Sequence, residues 1–256
     1  MSGDPQADWT PEQLREFRDS LRLTFGAEAA MYERSRPTFA ADAVDWLISP
    51  DARDVADVGA GTGKLTRLLA DRGLTVTAVE PDPGMRGELT RVLPTVPCVE
   101  GSGESIPLPD DSLDLVTFAQ SWHWVDVPAA SAEVARVLRP GGRLALIWNM
   151  DARLPRWLAE GLRLDKPLED DKLNPSVGPE FGSLEHRQFS WSETLPKATF
   201  IDRVLSRSRY LVLSARERAE EVEFIRAAME RDPEVAGHDD VVIHHNTEVF
   251  SATLRD

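Results

Sequence analysis

The chain has 256 residues, enough to bury the core of one α/β domain with additions. Its 44 acids against 29 bases leave a net charge of −15, an average field that repels polyanions and argues against a nucleic-acid substrate. No run of about 18 apolar residues offers a membrane span. The acidic start Met1-Ser-Gly-Asp-Pro lacks signal-peptide character, and the single Cys98 cannot form an internal disulfide, so the expected compartment is the cytoplasm.

Residues 1 to 40 read as a helical cap. Thr10-Pro11-Glu12 is a helix-start signal, and Leu14, Phe17, Leu21 and Phe25 fall on one stripe at helical spacing. From 41 onward the pattern becomes that of an α/β domain. Val55, Ala56 and Val58 supply a buried strand, and Gly59, Gly61 and Gly63 follow as G-x-G-x-G. Glycines here let the backbone turn tightly and approach a ligand with no Cβ in the way. Leu65, Leu68 and Leu69 then mark a helix, with Gly73 at its C-terminal end. Strand, glycine turn and helix together are the nucleotide-binding half of a doubly wound α/β domain.

Spacing separates three glycine-rich readings. A dinucleotide fingerprint needs G-x-G-x-x-G, and Lys64 occupies the third glycine's place. A P-loop needs G-x-x-x-x-G-K-[ST], and Val58 and Leu65 stand where the first glycine and the hydroxyl belong. S-adenosylmethionine (SAM) is the remaining reading, because it has no pyrophosphate to hold. Asp57 at the strand end suits its ammonium, and turn amides suit its carboxylate. The next strand, Leu74-Thr-Val-Thr-Ala-Val-Glu80, ends in an acid placed to accept from both ribose hydroxyls; NAD and SAM sites share that arrangement.

With these two motifs in hand, the chain resembles the class I SAM-dependent methyltransferases. Val58-Gly-Ala-Gly-Thr-Gly-Lys64 is similar to the family's first motif, and Val79-Glu-Pro-Asp-Pro-Gly-Met85 to its ribose-binding segment. Glu100 to Val116 is similar to the third-strand turn and fourth strand, and Leu138 to Trp148 to the turn into strand five. Gln120-Ser-Trp-His-Trp-Val-Asp126 and Ile147-Trp-Asn149 most resemble the type 11 small-molecule group, which includes trans-aconitate-like enzymes. The resemblance implies a Rossmann-like, mostly parallel seven-stranded sheet with an antiparallel last strand. It divides the domain into a core over 41–151, substrate-side helices and a loop over 152–185, and a closing part of the sheet over 186–256.

Residue by residue, the resemblance implies contacts to the methionine tail from Gly59, Ala60 and Gly61, and ribose binding by Glu80. It implies adenine contacts near Pro81, Met85, Ser102, Gly103 and Glu104, and Gln120 beneath the sulfonium. Ser102 departs from the family pattern, where Asp is common. Tyr32 and Arg36 in the cap either meet the methionine carboxylate or belong to an ordinary surface helix end.

Later elements complete the alternation. Helices are predicted over Gly84–Val92 and Ala129–Leu138, and strands near Pro97–Glu100, Leu113–Ala119 and Arg143–Trp148. Arg153–Leu164 reads as helix, 167–183 as a mobile loop, Ala215–Arg231 as helix and Val241–Leu254 as the closing strand. His123, just after strand four, is the candidate general base, with a packed pocket histidine as the alternative. Trp122 and Trp124 either line the acceptor pocket or pack in the core, and Trp148 and Asn149 border the pocket. His186, His238, His244 and His245 lack the acid or cysteine spacing of a metal site, and the last two read as strand-exposed. Arg153, Arg156 and Arg163 either recognise an acidic acceptor or are solvated.

The region after strand four lacks the Asn/Asp-Pro-Pro-aromatic motif of base-amine enzymes, a cytosine-C5 nucleophile and the paired glutamates of protein arginine enzymes. No metal is expected. Cys98 lies far from that region in sequence and reads as a small buried hydrophobe. The expected activity is methyl transfer from SAM to a small organic acceptor at O or N. A noncatalytic SAM-binding protein is the alternative, and a dehydrogenase a distant third.

Overall fold

The computed structural model describes residues 29, 33, 36–151, 173–205 and 213–255. Within them the order is α1 (Ala41–Leu47), β1 (Asp54–Val58), α2 (Lys64–Ala70), β2 (Thr75–Val79), α3 (Pro83–Val92), β3 (Cys98–Val99) and β4 (Leu113–Ala119). A 3-10 turn over Trp122–Trp124 leads to α4 (Val127–Val137), β5 (Leu138–Asp151), β6 (Glu185–Pro196), α5 (Lys197–Leu205), α6 (Ala215–Arg231) and β7 (Asp240–Thr253). Most of the expected cap, including Tyr32, lies outside the described residues. So do Arg153, Arg156 and Arg163 with the helix expected around them, and the first part of the loop.

Seven strands form one sheet in the order β3-β2-β1-β4-β5-β7-β6. The first five are parallel, and β7 pairs antiparallel with both β5 and β6. This is the Rossmann-like arrangement expected from the alternating pattern. Chain direction reverses its order of occupancy at β1, where the chain moves outward to β2 and β3 and then returns to β4. The crevice at such a switch point is where α/β sheets hold ligands.

Local chemistry explains the helix starts. Asp82 accepts from the Met85 amide at 2.9 Å and Asp126 from the Ala129 amide at 3.0 Å, each followed by proline in the first turn. Ser214 and Glu217 form a capping box before α6. One sheet face packs on α1 and α2 through Val44, Leu47, Leu65 and Leu69, and the other on α4 through Ala130, Val134 and Val137.

Two features depart from the sequence expectations. The stretch 173–184 is anchored along its length: the Trp122 indole donates to the Ser176 carbonyl at 2.9 Å, the Gly178 amide to Ser131 Oγ at 2.8 Å, and Phe181 is fully buried. A polar, glycine-containing sequence is therefore pinned by the α4 face rather than loose. The second departure is the β6/β7 hairpin and α5, which the sequence pattern did not separate. The last rung to β5 joins Asp151 to His245, yet the β6–β7 ladder continues to Pro196 and Asp240. The hairpin thus overhangs the carboxyl edge of the sheet. Its tip forms a second core with α5 and α6, in which Leu195, Val241 and Ile243 meet Phe200, Val204, Ile225 and Met229.

Candidate functional site

A cavity of about 510 Å³ lies between the carboxyl edge of the sheet and this overhang, a size typical of small-molecule sites. The glycine turn forms its floor. Gly59 and Ala60 donate to the Val79 carbonyl at 2.8 and 3.2 Å, which ties the turn to the end of β2. Gly59 has φ +67°, and a Cβ there would stand 2.7 Å from Ser121 Cβ. Gly61 has φ +58°, but a Cβ would meet nothing within 4 Å, because the position faces the open cavity. The first glycine is required by packing against the β4 tip; the second leaves room for a ligand.

Glu80 sits at the tip of β2 with its carboxylate held from both sides. The Gly61 amide donates to Oε2 at 2.8 Å and the Asp82 amide to Oε1 at 2.9 Å. A carboxylate held in this way presents two oxygens in one plane, the arrangement that suits a diol. Pro81, Met85, Ser102, Gly103, Phe118 and Val125 line the same end of the cavity. A carboxylate for a diol and an apolar slot for a flat ring fit an adenosine moiety, so the residues present suit the cofactor the motifs imply.

At the β4 tip, Gln120 adopts φ +57°, a left-handed conformation uncommon outside glycine. Its amide donates to the Ile147 carbonyl at 2.9 Å and its Nε2 to the Asn149 carbonyl at 3.0 Å, which hold the turn open toward the cavity. Asn149 is fixed in turn, donating to the Thr38 carbonyl and accepting from Thr247 Oγ1, both at 2.6 Å. His123 and Trp124 line the cavity with their rings 4.8 Å apart, and His123 is exposed. Arg36, Gly59, Ala60 and Gly61 complete the set of sequence candidates that the fold brings together here.

Four candidates are placed elsewhere. Asp57 does not line the cavity. Its side chain follows the strand alternation toward α2, where Thr66 Oγ1 donates to it at 2.6 Å and Thr117 Oγ1 on β4 at 2.9 Å. Burial there pushes its carboxyl up to about 6 from an ordinary 3.8. Glu104 accepts from the Asp126 amide at 2.9 Å, bracing the start of α4, and is not among the residues lining the cavity. Trp122 is a core residue, edge-on to Phe118 at 4.7 Å, and Trp148 packs edge-on to Phe250 at 5.9 Å. Both tryptophans alternate away from the cavity.

Other residues enter the site without having been singled out. Lys64 donates to the Glu33 carbonyl at 2.6 Å, and its ammonium is lowered from the usual range chiefly by burial. Arg203 on α5 lies at 7% exposure and His245 on β7 at 2%, both on the cavity wall. Glu193 on β6 joins them: it takes the Arg203 guanidinium on both oxygens and pairs with His245 Nε2 at 2.7 Å. These hydrogen bonds, with the Arg203 charge, outweigh burial and hold the Glu193 carboxyl down at about 2. His245 was expected to be exposed. It is in phase with Val241, Ile243, Thr247 and Val249 on the inward face of β7, while His244 points out with Val242. The period-2 pattern carried that signal.

The comparisons agree with this geometry. The methyltransferase domain family matches residues 56–146, from the first strand into the fifth. An uncharacterized methyltransferase of Mycobacterium tuberculosis is 41% identical over 238 residues, covering 93% of this chain and 98% of its own. The chain belongs to the class I SAM-dependent methyltransferases. An uncharacterized methyltransferase-like protein of Schizosaccharomyces pombe is 34% identical over 67% of this methyltransferase and 72% of its own length. A solved structure assigned as a type II methyltransferase of Anaeromyxobacter dehalogenans shares the fold, with TM-score 0.65, 24% identity and coverage of 86% of this chain and 97% of that one. Among the described residues of the methyltransferase, no helix is long and apolar enough to cross a membrane, and no group of His, Cys, Asp and Glu is placed to hold a metal.

Proposed function

We propose that this protein transfers a methyl group from SAM to a small organic acceptor at oxygen or nitrogen. The observation that carries this reading is the Glu80 carboxylate, clamped by the Gly61 and Asp82 amides on the cavity floor beside the glycine turn. When bound, SAM supplies a methyl on a positively charged sulfur, a leaving group that needs no further activation. The chain's own work is to bind, align and exclude water.

Glu80 takes the ribose, and the slot between Met85, Ser102, Gly103 and Val125 takes the adenine. Gly59, Ala60 and Gly61 line the stretch of the cavity that takes the methionine tail, with Arg36 near its carboxylate. Gln120, held in its left-handed turn, lies beneath the sulfur. The acceptor then occupies the remaining end of the cavity, between His123, Trp124, Asn149 and Met150. The cavity volume of about 510 Å³ suits a metabolite, and the net charge disfavours nucleic acid.

Calorimetry with S-adenosylhomocysteine (SAH) tests the cofactor assignment, with NADH as control. Micromolar binding that Glu80→Ala weakens is expected, by about 1–3 kcal/mol for hydrogen bonds to a charged group. Equal affinity in the variant, or preference for NADH, refutes the reading. SAH binding without turnover on any acceptor of a broad alcohol, phenol and amine panel would instead favour a protein that retains SAM without catalysis.

A further inference from the structure

Resting on the methyltransferase reading above, we propose that the acceptor is an uncharged molecule with a predominantly apolar body, carrying its nucleophilic hydroxyl or amine at one edge, and not an organic acid. The strand order places its site. From β2 through β1 and β4 to β5 the cavity is lined in turn by Glu80, Gly59, Gln120 and Asn149, which puts the ribose at one end and the sulfur at the β4 tip. Past that tip the lining is apolar. Trp124 follows it on the 3-10 turn, and Met150 follows Asn149 on β5. Pro37 and Phe39 flank Thr38, whose carbonyl the Asn149 amide holds at 2.6 Å. Indole, thioether and phenyl groups gain by covering apolar ligand surface, and they do not offset the charge of a carboxylate.

The polar groups on the walls are committed to one another. The Lys64 ammonium donates to the Glu33 carbonyl at 2.6 Å, with the Glu33 carboxylate 3.5 Å away. Glu193 takes the Arg203 guanidinium on both oxygens and pairs with His245 Nε2 at 2.7 Å. The Gln120 side chain donates to the Asn149 carbonyl, and the Asn149 side chain donates to Thr38 and accepts from Thr247. To receive an acid, one of these pairs must be broken or shared. Drawing Arg203 away from Glu193 leaves a buried guanidinium poorly compensated, and sharing it sets two carboxylates side by side, where like charges repel. Arg36 is the cation assigned above to the cofactor's own carboxylate. The net charge of −15 adds a field that disfavours an anion on approach. An uncharged acceptor leaves every one of these contacts in place.

The test uses the whole chain saturated with SAH and probes that differ in charge. Calorimetry at neutral pH compares naphthol with hydroxynaphthoate and naphthylamine with aminonaphthoate, each pair sharing a ring and differing by one carboxylate. A neutral member should bind, and at least about tenfold more tightly than its carboxylated partner, which must bring an uncompensated charge into the cavity. The acid trans-aconitate should displace neither. Trp124→Ala should weaken the neutral ring by about tenfold through the lost indole surface, while SAH affinity stays within about threefold. Trp124→Phe, which keeps a ring, should recover most of the loss. If neither variant folds, the matched pairs in the wild-type protein decide alone. Equal or tighter binding of the acids overturns the inference, as does failure of both neutral rings to bind the SAH complex, or wild-type affinity for them in Trp124→Ala. In those cases SAH still binds and the cofactor assignment stands. If SAH itself does not bind, that assignment falls and takes this inference with it.

Discussion

Asp57 offers the sharpest test of how this fold treats charge. It lies fully buried at the end of β1, bonded by the hydroxyls of Thr66 and Thr117 and the Thr66 amide, and its carboxyl is raised from 3.8 to about 6 because burial outweighs those hydrogen bonds. A raised carboxyl means that the folded state holds its proton more tightly than the unfolded chain. The associated stability is present below about pH 4 and is lost as pH rises through about 6. A shift of about two units corresponds to about 3 kcal/mol, so the ionised group opposes folding at neutral pH by that order. Asp57→Asn removes the charge and keeps the size, and either threonine hydroxyl can rotate to accept from the new amide. Urea unfolding at several pH values is the assay. The difference between variant and wild type should move by about 2–3 kcal/mol in the variant's favour from about pH 4 to about pH 7, then stay level. Parallel curves would mean that Asp57 titrates as it does in water and that the burial argument is wrong. Because Asp57 does not line the cavity, SAH affinity should change by less than about threefold; a large loss would restore it as a direct partner of the ammonium, worth at least the energy of one charged hydrogen bond.

The two glycines of the turn should respond differently to alanine. At Gly59 the added carbon would meet Ser121 Cβ at 2.7 Å in addition to the left-handed strain, whereas at Gly61 it meets nothing. Thermal unfolding should show Gly59→Ala costing about 2–4 kcal/mol and Gly61→Ala about 1–2 kcal/mol, with SAH binding lost in both; equal stability costs would refute the packing distinction. Glu193→Gln should destabilise the protein by about 3 kcal/mol at pH 7, since it leaves the buried Arg203 charge poorly compensated. The Glu193 carboxyl is depressed from 4.5 to about 2, so its contribution is full above about pH 4.5 and fades toward pH 2. Denaturant curves should therefore show the gap between wild type and variant narrowing as pH falls from about 5 to about 3, and a constant gap would count against the ion pair.

The sequence by itself determined the sheet core and the glycine-turn side of the cavity. β4 and α6 were legible to the residue, and the glycine turn and Glu80 were read in their correct places, because these depend on local rules: alternation, helical stripes, caps and positive-φ glycines. What local rules could not assign was direction. Asp57 stands one residue from the cavity-lining Val58, but the strand alternation turns its side chain to the α2 face, where two hydroxyls take it. Trp122 and Trp124 are separated by one residue of a 3-10 turn, and only the second reaches the cavity. The far wall of the cavity was still less visible. Glu193, Arg203 and His245 are spread over 53 positions of β6, α5 and β7 and follow no motif spacing. They meet only because β6 and β7 pair for several rungs beyond the last contact with β5 and carry their inward side chains over the sheet edge. The glycine turn and the next strand tip are short and contiguous, so a sequence can display them; the opposite wall of the cavity is built by the register of strands far apart in the chain, and only tertiary structure decides that.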